Sequence, residues 1–167
     1  VREAFEGFYK SNGLSRQSLL GAGISVSGPV NPNGVLQRGG ILPKWAGVTI
    51  THLFSGVFEA PVLVDNESNC AALSEMKWGA ARGLSNFVVF KMDVGVGGAI
   101  VSNGALVTGV SGGAGEFGHV SINPEGELCR CGNSGCLELY ASFAKPLEQL
   151  SRVHKRPITF TDAIAMA

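Results

Sequence analysis

Three of the chain's four cysteines fall in one short run, Cys129-Arg-Cys131-Gly-Asn-Ser-Gly-Cys136, and a histidine closes Gly115-Glu-Phe-Gly-His119 just upstream. Such a run constrains the backbone strongly, because three sulfurs that are to meet require the chain to fold back on itself within a few residues. Thiolate and imidazole suit zinc, and four protein ligands make a closed tetrahedral shell with no position left for a reactive water. The expectation is a structural Zn2+ held by His119, Cys129, Cys131 and Cys136, with Gly132 and Gly135 allowing the sharp turns. Disulfide chemistry is the competing reading. It would leave one of the three cysteines over, Cys129 and Cys131 are poor partners for each other, and the chain shows no secretory signal. Reduced thiols in a cytoplasmic protein are therefore expected.

Glu116-x-Gly-His119 followed by Cys-x-Cys-Gly-x-x-Gly-Cys-x-Glu138 resembles the signature of the ROK family, which covers bacterial sugar-responsive repressors and sugar kinases. Val26-Ser-Gly-Pro-Val30, Leu42-Pro-Lys-Trp45 and Val64-Asp-Asn-Glu-Ser-Asn69 resemble further landmarks of that family, so the resemblance covers most of the chain. It implies an α/β, actin-like ATPase fold of the ribonuclease H type, with two lobes, mixed sheets and a sugar bound in the cleft between them. Residues 1–84 would end the N-terminal lobe, and residues 85–167 would form the C-terminal lobe with the zinc site. Asn66, Glu67, Glu116, His119 and Glu138 would line the sugar site. A homo-oligomer is also implied. A whole family member has more chain in front of these landmarks, so a piece of a longer protein is expected.

Where ROK kinases carry Asn-Asp-Ala-Asn, whose aspartate takes the proton from the attacking sugar hydroxyl, this chain has Asn66-Glu67-Ser68-Asn69. The extra methylene of Glu67 moves the carboxylate by more than the roughly 1 Å that can cost a hundredfold in rate. Where the kinases have Leu-Gly-Thr-Gly-x-Gly-Gly, this chain reads Met92-Asp-Val-Gly-Val-Gly-Gly98. Asp93 thus brings a negative charge to a phosphate loop, and Val94 removes its hydroxyl. Two like charges about 4 Å apart repel by roughly 4 kcal/mol at an effective dielectric of 20, unless Mg2+ bridges them. Gly95, Gly97 and Gly98 would cradle ATP phosphates only in a kinase. A Rossmann fingerprint is excluded because a hairpin signal, Asn103-Gly104, follows these glycines where a helix is required. A P-loop is excluded by the missing Gly-Lys-Ser/Thr.

Elsewhere the pattern is that of an α/β chain. Val1, Ala4, Phe5 and Phe8 predict an amphipathic first helix, stopped by Asn12-Gly13. Leu19–Val26 and Pro61–Val64 read as buried strands, with a turn at Asn33-Gly34 between them. Arg38–Trp45 is irregular and, by the resemblance, lines the sugar cleft; packing of Trp45 explains it equally well. Thr49–Phe58 predicts a short helix with a surface His52. A helix after Asp65 would turn Ala72, Leu73, Met76 and Ala80 to one face. Its polar start can serve a ligand at the strand's carboxyl end, or simply cap the helix through Asn66 or Ser68. Cys70 reads as a small buried side chain. Phe87–Phe90 is a strand, Val107–Gly115 a glycine-rich loop, and Leu137–Leu150 helical. Pro157 ends that helix, and Thr159 or Thr161 caps another.

With 167 residues, 45% of them hydrophobic, and zero net charge, the chain can bury a core but lacks an extended face for nucleic acid. Arg152-Val-His-Lys-Arg156 is a short solvated patch. No apolar run approaches the roughly 18 residues that span a bilayer, so no membrane partner is expected. These features together predict the sugar-sensing part of a ROK-type transcriptional regulator, with DNA bound only through a winged-helix part outside this chain. The rival is an ATP-dependent sugar kinase with Glu67 as general base. A zinc-stabilised assembly module without a ligand is a third possibility.

Overall fold

The computed structural model describes residues 2–37 and 42–166, so Val1 and the Arg38–Ile41 part of the expected cleft segment lie outside the described residues. The chain forms two compact units. The first comprises Val1–Cys70 and Thr108–Gly113, and the second Ala71–Val107 and Ala114–Ala167.

In the first unit, β1 (Ala22–Val26) and β2 (Val62–Asn66) pair in parallel, with Ile24 opposite Val64 and Val26 opposite Asn66. Parallel strands need a long crossover, and here residues 27–61 provide it, including helix α2 (Ile50–Ser55). Val30, Leu36 and Ile50 are buried at its centre, with Ile24, Val26, Val48, Phe54 and Val64 packed around them. The Asn33-Gly34 turn forms as expected. Asn31 Oδ1 accepts from the Asn33 and Val35 N–H groups, both at 3.0 Å, and Gly34 takes φ +72°. β1 begins later than the apolar run suggested, because Arg16–Ser18 forms a 3₁₀ turn capped by Ser15 and Leu20 is exposed.

Helix α1 (Arg2–Asn12) forms, but its inward face differs from the expected one. Tyr9 is buried, and its ring lies 4.5 Å from Phe5, which also meets Phe58 edge-on at 4.7 Å. Phe8 and Ala4 face outward instead. Phe5 and Tyr9, four residues apart, stack on one helical face, whereas Phe8 is turned away from it.

In the second unit, β3 (Phe87–Met92), β4 (Val96–Ser102) and β5 (Ala105–Val107) form an antiparallel sheet in the order β3-β4-β5. The β4–β5 hairpin turns at Asn103-Gly104, both with positive φ as a two-residue primed turn requires. Ala72, Ala99 and Val101 are the buried centre, packed by Met76, Phe87, Val89 and Leu106. Helix α3 (Glu67–Trp78) therefore uses Ala72 and Met76 inward. Leu73 is exposed, and Ala80 lies beyond the helix end, so the expected four-residue face is corrected to these two. Helices α4 (Glu138–Ala141), α5 (Ala144–His154) and α6 (Phe160–Ala165) complete the unit. Thr159 caps α6 in a reciprocal box with Asp162. Among the described residues no helix is long and apolar enough to cross a membrane.

Candidate functional site

The turn that carries the cysteines is built by backbone bonds. The Gly135 N–H donates to the Glu127 carbonyl at 2.8 Å, the Cys129 N–H to Asn133 at 2.7 Å, and the Gly132 N–H back to Cys129 at 2.9 Å. The Ser121 hydroxyl donates to the Ser134 carbonyl at 2.7 Å and so ties the segment before the turn to it. Gly135 is required here twice over, since its φ is +62° and a Cβ would fall on the Asn123 carbonyl.

Folded this way, the ligand atoms of His119, Cys129, Cys131 and Cys136 all lie within 4.8 Å of one another. Cys131 Sγ is 3.6 Å from Cys136 Sγ, and His119 Nδ1 is 3.6 Å from Cys129 Sγ. A tetrahedron with metal–sulfur bonds of about 2.3 Å and metal–nitrogen bonds of about 2.0 Å has edges of about 3.6 to 3.8 Å, so the donor set fits a closed metal site. All four cysteines are free, and the cluster's sulfurs stand well beyond the roughly 2.05 Å of a disulfide, which excludes that competing pairing here. Cys129 and Cys136 are buried. Burial, and then the neighbouring Cys131 and Cys129 sulfurs, push the Cys136 thiol up to about 12. Burial also raises Cys131, but hydrogen bonds from the Asn133 N–H and the adjacent sulfurs outweigh it and leave that thiol below its ordinary value. Only a cation among them would let these crowded sulfurs all ionise, and the donor set suits one.

His119 closes the 3₁₀ turn Phe117–His119, which packs so tightly that a Cβ on Gly118 would strike the Val96 carbonyl. With Nδ1 toward the sulfurs, Nε2 points to Glu116, whose Oε2 is 3.9 Å away. Glu138 opens α4 two residues after Cys136 and is buried. Its Oε2 accepts the Val96 N–H at 3.0 Å, and its Oε1 meets Arg130 Nη2 at 2.7 Å. A cavity of about 280 Å³ opens there, lined by Val94, Arg130, Glu138, Ser142, Lys145 and Glu148 among others. Glu116 and His119 do not line it.

The β3–β4 turn holds Asp93. Its N–H donates to the Gly95 carbonyl at 2.8 Å, its Oδ1 accepts the Val94 N–H at 2.8 Å, and Lys91 Nζ lies 3.6 Å from Oδ2. Gly97 and Gly98 lie in β4 in register with Lys91 and Phe90. A Cβ on Gly98 would run into the Phe117 ring, and one on Gly95 would crowd the Glu138 carboxylate.

Asn66 and Glu67 belong to the first unit. Asn66 Oδ1 accepts the Ser68 N–H at 2.7 Å and its Nδ2 donates to the Gly28 carbonyl at 3.0 Å, so it caps α3 and fastens the loop after β1. Glu67 Oε2 is buried and has no hydrogen-bond partner among the described residues. Asp65 was missed by sequence reasoning. Its Oδ1 accepts from the Asn66 N–H and Asn69 Nδ2, both at 2.7 Å, and the four-residue spacing to Asn69 was the available signal. Arg130 was also missed, and nothing in its position between two cysteines announces a carboxylate partner. The first unit has a cavity of its own, about 590 Å³, lined by Pro29, Leu36, Gln37, Gly47 and Ser111 among others.

A sequence model of the ROK family matches residues 2–167. The chain is 35% identical to a xylose repressor of Bacillus spizizenii over 92% of its own length and 39% of the repressor's. It is also 35% identical to a glucokinase of Halalkalibacterium halodurans, over 85% of this chain and 43% of the enzyme. The chain thus spans about two fifths of the length of these curated relatives. In structure it resembles a ROK family transcriptional regulator, a homologue of the E. coli MLC protein, with a TM-score of 0.76 at 26% identity, covering 98% of this chain and 41% of that one. The fold is accordingly the actin-like ATPase fold.

Proposed function

Because the chain belongs to the ROK family, we propose that it is the sugar-sensing part of a ROK-type transcriptional regulator, taking a hexose, an N-acetylhexosamine or a derivative of one. In this reading residues 1–84 end the N-terminal lobe and residues 85–167 form the C-terminal lobe. His119, Cys129, Cys131 and Cys136 hold a structural zinc, which when bound supplies a redox-inert node without an open coordination position. Asn66, Glu67, Glu116, His119 and Glu138 offer the sugar hydroxyls fixed donors and acceptors, the kind of contact that tells epimers apart. DNA is bound through a winged-helix part outside this chain, and the working protein is a cytoplasmic homo-oligomer.

The observation that carries the choice of regulator over kinase is the β3–β4 turn. Asp93 satisfies its own turn and sets a carboxylate where the kinases of the family have a glycine, and the next residue, Val94, lacks the hydroxyl they use for phosphates. A coupled assay of the whole protein with ATP, Mg2+, D-glucose, D-xylose and N-acetyl-D-glucosamine tests it. Sugar binding without turnover is expected, and robust phosphorylation would end the regulator reading.

One observation favours the kinase as a second reading. Glu67 Oε2, without a hydrogen-bond partner among the described residues, is the acceptor a general base needs, and Gly95, Gly97 and Gly98 would then face ATP with Mg2+ offsetting Asp93. A third reading, a metal-stabilised assembly module, expects melting that no sugar alters.

A further inference from the structure

We infer that Arg130 is a positioning residue for Glu138, and that through it the metal-binding turn sets the geometry of a ligand-binding carboxylate. The inference rests on the sugar reading of Glu138. Arg130 lies between Cys129 and Cys131 in a turn closed by the Gly132 N–H donating to Cys129, so its backbone is fixed on both sides by candidate ligands. Its Nη2 reaches Glu138 Oε1 at 2.7 Å, while β4 holds the other oxygen through the Val96 N–H at 3.0 Å. The carboxylate is thus clamped from two directions, once by the sheet and once by the metal turn.

An exposed ion pair in such a place would add little. This one differs on the carboxylate side: Arg130 is half-exposed, but Glu138 is only 8% exposed, so removing the guanidinium leaves a largely buried carboxylate held by the Val96 N–H alone. The stranded carboxylate must rotate toward solvent or take up another donor, and either movement withdraws it from a ligand that needs it fixed. Arginine also suits the task better than lysine, because its planar fork fixes direction as well as charge.

The test is isothermal titration of the whole, zinc-replete protein with D-glucose and with D-xylose, comparing wild type with Arg130→Gln and Arg130→Lys and measuring metal content in parallel. Arg130→Gln is expected to keep its zinc stoichiometry and lose about tenfold or more in sugar affinity, the range typical of residues that orient a ligating group, with Arg130→Lys recovering part of it. Hydrogen exchange at the Val96 amide should quicken in Arg130→Gln, a change that a general loss of stability would not confine to one strand. Wild-type affinity in Arg130→Gln would overturn the inference, as would an affinity loss that merely tracks lost zinc. Wild-type protein that bound neither of these sugars nor N-acetyl-D-glucosamine would withdraw the sugar reading itself, and this inference with it.

Discussion

The cysteine turn of the second unit carries the buried Glu138 and the strand–helix junction of the first the half-buried Glu67, and the two carboxylates are held in opposite ways. Glu138 has both oxygens engaged, one by Val96 and one by Arg130. Glu67 has a buried oxygen with no partner among the described residues. The first arrangement spends its polar capacity on rigidity. The second keeps capacity in reserve, which suits a group that meets something arriving from outside. The contrast implies that damage to the cysteine turn appears first as lost structure, and damage at Glu67 first as altered ligand chemistry.

Removing a sulfur is the harshest way to test this. Cys136→Ser is expected to abolish stoichiometric zinc and lower the melting temperature more than any other single change, since structural zinc contributes on the order of 10 kcal/mol in small zinc domains. Cys70→Ser should leave the metal in place. Plasma emission analysis with thermal melting checks both, and a Cys136→Ser protein that kept its zinc would undo the four-ligand assignment.

A pair of glycine replacements separates the turn's geometry from its metal. Gly135→Ala meets both a positive φ and the Asn123 carbonyl, and is expected to cost roughly 2 to 4 kcal/mol. Gly132→Ala meets the positive φ alone, with nothing within 4 Å of its Cβ, and should cost about 1 to 2 kcal/mol. Denaturant melts that ranked the two the other way would show that the turn is not held as described.

How much of this the sequence discloses also follows from the contrast. A histidine and three cysteines at this spacing stand out, because coordination would limit both residue type and spacing, so the four side chains that the fold brings together could be named without coordinates. The Asn103-Gly104 hairpin and the Asn66 cap were legible for a similar reason, each resting on bonds within a few residues. The inward face of α3 was not. Burial of Leu73 depends on what packs against the helix, and Ala72 and Met76 take the core positions instead. Arg130 stayed hidden because its partner is fixed by two turns of backbone that no residue pattern encodes. The charge that Asp93 brings to the β3–β4 turn was legible, but its own hydrogen bonds to that turn were not.

At the junction the effects are expected to be smaller in stability. Asn66→Ala removes the cap on α3 and leaves the Gly28 carbonyl short of a donor, a loss of about 1 to 2 kcal/mol by urea denaturation. Glu67→Gln should barely change stability while weakening sugar binding by about tenfold, and an equal effect on both would erase the difference drawn between Glu67 and Glu138.

The smallest effect should come from Cys70, the cysteine of the junction. Its thiol is raised above the ordinary value, chiefly by burial and then by the charge of Asp65. A raised folded-state value means the folded protein favours the protonated thiol. The associated stability is therefore complete below the unfolded thiol's value of about 8.5, and is lost as pH rises through the higher folded one. Wild type should accordingly lose stability as pH rises above about 8.5 relative to Cys70→Ala, with the two curves running parallel below pH 8. Thermal melts across pH 7 to 10 check it, and curves that stayed parallel throughout would show that Cys70 ionises as readily in the fold as in the open chain.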